Sequence, residues 1–129
     1  MNSLSTHLII VILSLFFSTL VYSSDYKDED FDGGKTLMLE AIDHAKTAKS
    51  HKAHAHHIHE HAKESLKYVK KAEIVAIEQN NTEGRVHITT AIQHLVKAID
   101  QADDGRSRIA IEHLSIALEA MRQFTEHQH

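Results

Sequence analysis

One short phrase recurs four times along this chain and constrains its fold more than any other feature. Asp43-His44-Ala45-Lys46-Thr47-Ala48-Lys49 returns as E-H-A-K-E-S-L at 60–66, Q-H-L-V-K-A-I at 93–99 and E-H-L-S-I-A-L at 112–118. Each copy reads acid or amide, histidine, apolar residue, two spacers, small residue. With the apolar residue at heptad position a, the small residue falls at d and the histidine at g. The histidine therefore flanks a buried seam instead of entering it.

The a/d spacing runs well past the motifs. The first segment carries Met38, Ala41, Ala45 and Ala48, with Ile42 beside them; the second carries Ile58, Ala62, Ser65, Val69, Ala72 and Ala76, reinforced by Leu66. The third has Ile88, Ala91, Leu95, Ala98 and Ala102, widened by Ile92 and Ile99, and the fourth Ala110, Leu114, Ala117, Met121 and Phe124. From Lys35 onward good helix formers dominate and no proline interrupts them. These features predict an all-α fold, an antiparallel up-down-up-down four-helix bundle over residues 35–129. Seams so rich in alanine allow close helix approach but bury modest area, so marginal stability is expected.

The four glycines, Gly33, Gly34, Gly84 and Gly105, each read as a helix break. Residues 80–84 form a turn in which Asn81 or Thr82 can cap the next helix, and 103–105 form another. Between the first two segments there is neither glycine nor proline. A reversal near residues 50–56 gives four helices; one long helix from 36 to 79 gives three. The repeat pairs each motif with its own seam and favours four.

Residues 1–23 read as a secretory signal peptide. Leu8 to Tyr22 is almost wholly apolar, a small-residue cleavage site precedes Ser24, and the run is short for the ~20 residues of a spanning helix. No Lys or Arg precedes the apolar run; only the terminal amine and His7 are available there. Cleavage and export to the periplasm are expected, leaving no membrane attachment. Residues 24–34, acidic and ending in two glycines, read as a flexible leader.

With no cysteine, the 129-residue chain lacks disulfides, thiolate metal sites and thiol catalysis. A net charge of -4 and few aromatics argue against nucleic acid as a partner. Nothing assembles a catalytic site: His59-Glu60-His61-Ala62-Lys63 starts like H-E-x-x-H, but Lys63 stands where the second histidine is needed. The expectation is a monomeric binding protein, not an enzyme.

Histidine is what the composition has in excess, 13 residues in all, with six of them in the eleven residues 51–61. Neutral imidazole is a common ligand for borderline transition metals, and crowding it adds little charge repulsion near pH 7. Helical spacing offers His51/His54, His54/His57, His56/His59 and His57/His61 as pairs able to share an ion, with Glu60 four residues after His56. A seven-residue step climbs about 10.5 Å, so His44 and His51, or His87 and His94, cannot chelate one ion from a single helix. Taken alone, His113 or the terminal His127 is an ordinary boundary histidine; as part of the set, both are candidate ligands. The candidate metal ligands are His44, His51, His54, His56, His57, His59, His61, His87, His94, His113 and His127.

Imidazole with some carboxylate and no thiolate suits Cu(II), Ni(II) and Zn(II), with affinity highest for Cu(II). Met38 and Met121 fall at core positions and read as packing. An alternative is a pH-responsive interaction module, since so many histidines gain charge below about pH 6. Local clustering at helical spacing favours metal.

E-H-A-K-E-S-L at 60–66, N-N-T at 80–82, A-I-x-H-L-x-x-A-I at 91–99 and the E-H-L copy at 112 together resemble the bacterial small metal-binding proteins, over roughly Glu40 to His129. The resemblance implies a periplasmic, histidine-rich four-helix bundle that binds several divalent metals, notably copper, and sequesters or shuttles them. Carried over residue by residue, His44, His61, His94 and His113 match best, and His87 and His127 fit the pattern. Tyr68, Gln101, Arg106 and Ala120 depart from it, standing at heptad steps where a histidine is expected. Histidines also crowd the first junction, where the family has glycines.

Overall fold

A computed structural model describes residues 32–127; the signal segment, the leader up to Phe31 and His129 lie outside the described residues. Four helices follow one another: α1 (Lys35–Ser50), α2 (Ala55–Glu78), α3 (Thr82–Asp103) and α4 (Ser107–Glu126). α1 packs on α2, α2 on α3, α3 on α4, and α4 returns to α1, which closes an up-down bundle. Among the described residues no helix is long and apolar enough to cross a membrane.

The reversal between the first two segments occurs without glycine or proline. After Ala48 the next a position of α1 is Lys52, so a longer helix would carry a charged residue into the seam. The chain ends the helix instead. Ser50 donates its hydroxyl to the Thr47 carbonyl at 2.6 Å, His51 donates its N–H to Ala48, and His54 donates to the His51 carbonyl at 2.7 Å. His51 and His54 keep negative φ throughout, within reach of any side chain. At the other end of α1, where Gly34 is the N-cap, Asp32 accepts hydrogen bonds from both the backbone N–H and the hydroxyl of Thr36, so a residue of the acidic stretch satisfies a donor of the first turn.

Every a and d residue of the four seams is buried. The stripe is wider than two positions per heptad: Leu37, Val75, Leu118 and Ala120 are buried as well. Each helix of a closed ring faces two neighbours, so apolar g and e residues are covered too. Ser65, the polar d residue, donates its hydroxyl to the Ala41 carbonyl at 2.7 Å across the α1–α2 seam.

Gly84 corrects the reading of glycines as breakers. It lies inside the first turn of α3 and is buried. The reversal is made by Asn80, whose φ of 54° is left-handed. The Asn81 side chain folds over the helix start to accept the Gly84 N–H at 2.8 Å, and a β-carbon on Gly84 would lie 2.4 Å from Asn81 Nδ2. The glycine makes room for the cap. Asn81→Ala is therefore expected to cost about 1 kcal/mol. Gly84→Ala alone should be close to neutral, because the helix propensity gained is offset by the cap displaced. Added to Asn81→Ala, it should stabilise. Denaturant unfolding of the two single variants and the double variant checks this non-additivity.

Candidate metal-binding surface

α1 and α2 run antiparallel, and their histidines alternate along the seam between them. α1 contributes His44 and, at its C-cap, His51, one heptad apart; α2 contributes His57, His61 and Tyr68. The rings form one continuous ladder. His54 meets His57 at 5.9 Å between centroids, His57 meets His51 at 4.9 Å, and His51 meets His61 at 5.3 Å. His61 then meets His44 at 6.3 Å, and His44 meets Tyr68 at 5.5 Å, with the Lys71 ammonium over the far ring. His56 branches off beside His57 at 5.8 Å.

Most of the ladder exists because g positions, His44 and His51 on one side and His61 and Tyr68 on the other, face each other across an antiparallel pair, and His57 joins from position c. The seven-residue climb that stops His44 and His51 from sharing an ion is bridged by His61, which stands between them. Of the four helical pairs expected from spacing, His54/His57 is brought together. His51 turns instead to His57 and His61, because the chain reverses immediately after it. His59 turns away from the ladder, toward Glu60 and Asp103.

Apart from His54, which meets His57 edge-on at 79°, the ladder is stacked, not convergent. His51 and His61 lie within 5° of parallel, and His44 within 13° of Tyr68. Imidazole lone pairs lie in the ring plane, so parallel rings 5–6 Å apart aim their nitrogens side by side. Accordingly, among the described residues no three His, Asp or Glu side chains are already placed to hold one ion. Turning a ring about its broad χ2 torsion costs little where it is exposed, as His54 and His57 are. The donor set fits divalent transition ions, and rotation of neighbouring rungs can point two nitrogens at one ion.

The third and fourth helices carry two further pairs. His94 Nδ1 and His113 Nδ1 are 3.1 Å apart, one able to donate N–H to the other. Two nitrogens at the ~2.0–2.1 Å metal–nitrogen distance stand about 2.9–3.4 Å apart at cis or tetrahedral angles, so an ion can replace the shared proton. His113, an ordinary boundary residue on its own, thus gains a partner from the neighbouring helix. Two turns earlier on α3, His87 stacks on His127 at 5.7 Å.

Burial, then the facing His113 and Lys97, hold His94 below the ordinary histidine value of 6.5. A histidine with a lowered pKa binds fewer protons folded than unfolded. Its stability contribution is intact above pH 6.5 and is lost as the pH falls below it. Thermal melts of the metal-free chain from pH 7.5 to 5 should show falling stability, and His94→Gln should flatten that slope.

Every histidine brought together here comes from the repeat, from its heptad register at His87 and His127, or from the first junction, and the chain as a whole matches one family model. That model is the small metal-binding protein family, over residues 1–124. The chain belongs to this family. It is a family of binding proteins, and metal binding follows for this chain. No curated protein matches the chain. Two residues were not picked out as part of the site from spacing. Tyr68 extends the ladder at the heptad step after His61, and its position in the register was the available signal. Asp103 faces His59 from another helix, and no local pattern announces it.

Proposed function

We propose that the chain is exported to the periplasm, captures Cu(II) first among the divalent transition ions on the α1–α2 ladder, and buffers or delivers it. One feature carries this reading: five imidazoles, His54, His57, His51, His61 and His44, in a single row with adjacent centroids 4.9–6.3 Å apart. At two rungs per ion, five rungs hold two ions, and the His94–His113 pair adds a third. Interior rungs are shared between neighbouring half-sites, so an ion can move along the row by exchanging one ligand at a time. That property suits capture and release better than permanent structure. Affinity should follow Cu(II) above Ni(II) and Zn(II). The signal segment read at residues 1–23 supports the periplasmic location.

Calorimetric titration with each ion at pH 7.5 tests the reading. Cu(II) is expected to bind tightest and well below a Kd of ~1 mM, about -4 kcal/mol. If no ion binds more tightly than that, the reading fails.

A further inference from the structure

α2 presents a second ligand face on the side away from the ladder. There His59 stands between two carboxylates: its Nδ1 is 3.4 Å from Glu60 Oε1, and its Nε2 is 3.9 Å from Asp103 Oδ1 at the end of α3. These groups and His56 line a recess of about 370 Å³ between the start of α2 and the end of α3. We propose that His56, His59 and Asp103 form a separate nitrogen–oxygen site for Zn(II), with Glu60 as the positioning residue that orients His59. The proposal rests on the metal-binding reading but not on the ladder.

Three observations carry it. Glu60 can accept the Nδ1–H of His59, which leaves the Nε2 lone pair toward Asp103, the arrangement that orients metal-bound imidazoles generally. The 3.9 Å from Nε2 to Asp103 is too long for a hydrogen bond. Tetrahedral zinc, with Zn–N and Zn–O of about 2.0–2.2 Å, holds the two atoms about 3.3–3.5 Å apart, so a small rotation of the exposed Asp103 side chain brings both onto one ion. Finally, α3 ends on Asp103 and Asp104 with no basic residue in its last turn. A helix C-terminus is the negative end of its dipole, where carboxylates are unfavourable and a cation is stabilising. His56, three residues before His59, supplies the second nitrogen, and water completes a four-coordinate zinc. His56 and Asp103 are exposed, so closing them onto the ion needs only side-chain rotation. Cu(II) outranks Zn(II) here as at the ladder, so this site takes Zn(II) where Cu(II) is scarce or already taken up by the ladder.

Asp103→Asn is the discriminating variant, because Asp103 belongs to this site alone and asparagine suits a helix C-terminus at least as well. Purified chain and variant are titrated with Zn(II) and, in parallel, with Cu(II). Co(II) in place of Zn(II) reports four-coordination by its visible absorption. Asp103→Asn is expected to weaken one Zn(II) equivalent and diminish the Co(II) band, leaving the tightest Cu(II) binding unchanged. Glu60→Gln should weaken the same equivalent by about 10–100-fold, as loss of an orienting partner does. Superimposable Zn(II) isotherms for parent and Asp103→Asn would overturn the proposal, as would a parent that binds no Zn(II). A parent that binds Zn(II) through Asp103 but no Cu(II) would instead sink the ladder reading and uphold this site.

Discussion

Phe124→Ala is expected to remove about 3–5 kcal/mol of stability, toward the upper end of that range. Among the described residues Phe124 is the largest fully buried side chain, and half of the buried apolar residues are alanine. Alanine has no side-chain torsion with which to fill a void, so the cavity left by the ring would stay open. A domain of this size has roughly 5–14 kcal/mol in total. At about 4–8 °C per kcal/mol, the melting temperature should fall by about 12–40 °C. Phe124→Leu, which keeps most of the volume, should cost far less. Circular-dichroism melts and denaturant unfolding of both variants check this. A loss under about 1 kcal/mol for the alanine variant would mean that the end of α4 is not docked in the core.

Saturating Cu(II) is expected to produce a shift of comparable size in the opposite direction. An ion that binds only the folded bundle stabilises it by about 2.7 kcal/mol per site at a free concentration of 100 Kd. For one ladder site that corresponds to roughly 11–22 °C. The ladder joins α1 to α2, so the ion ties together two helices that separate on unfolding. The shift should shrink below about pH 6, where protons compete for the same nitrogens. A pH-responsive module without a metal role would behave differently: acid alone would change its shape, and Cu(II) at neutral pH would leave its melting point unmoved. Differential scanning fluorimetry with and without Cu(II) at pH 7.5 and 5.5 separates the two.

The heptad register made most of the fold legible. From Met38 to Phe124, the a and d residues named from spacing are the residues that are buried, because in a bundle one periodicity decides both helix and core. The breadth of the stripe was not legible, since burial of Leu37, Val75, Leu118 and Ala120 depends on which two neighbours each helix faces. The reversal at residues 51–54 was marked by no breaker. Its signal was the loss of the apolar stripe at Lys52. Gly84 misled because a glycine reads alike whether it bends the chain or makes room for a side chain such as Asn81.

The metal ligands divide in the same way. Their identity followed from the repeat, but their partners did not, because pairing by helical spacing describes one helix and these contacts cross between helices. His61 meets His51 and His44 from α1, His94 meets His113 from α4, and His59 meets Asp103 from α3. A pairing of that kind depends on the tilt and register of two helices, which a single sequence does not state.

The central claim is that Cu(II) is held by the α1–α2 ladder, and its two interior rungs are the place to test it. The decisive measurement is a Cu(II) calorimetric titration of the parent and of the double variant His51→Gln/His61→Gln at pH 7.5. With both shared rungs gone, His44 is cut off from His57 and His54. Cu(II) binding at the interior rungs is predicted to weaken by on the order of 100-fold, about 2.7 kcal/mol, while the His54–His57 and His94–His113 pairs each keep an equivalent. An isotherm that superimposes on the parent's would contradict it.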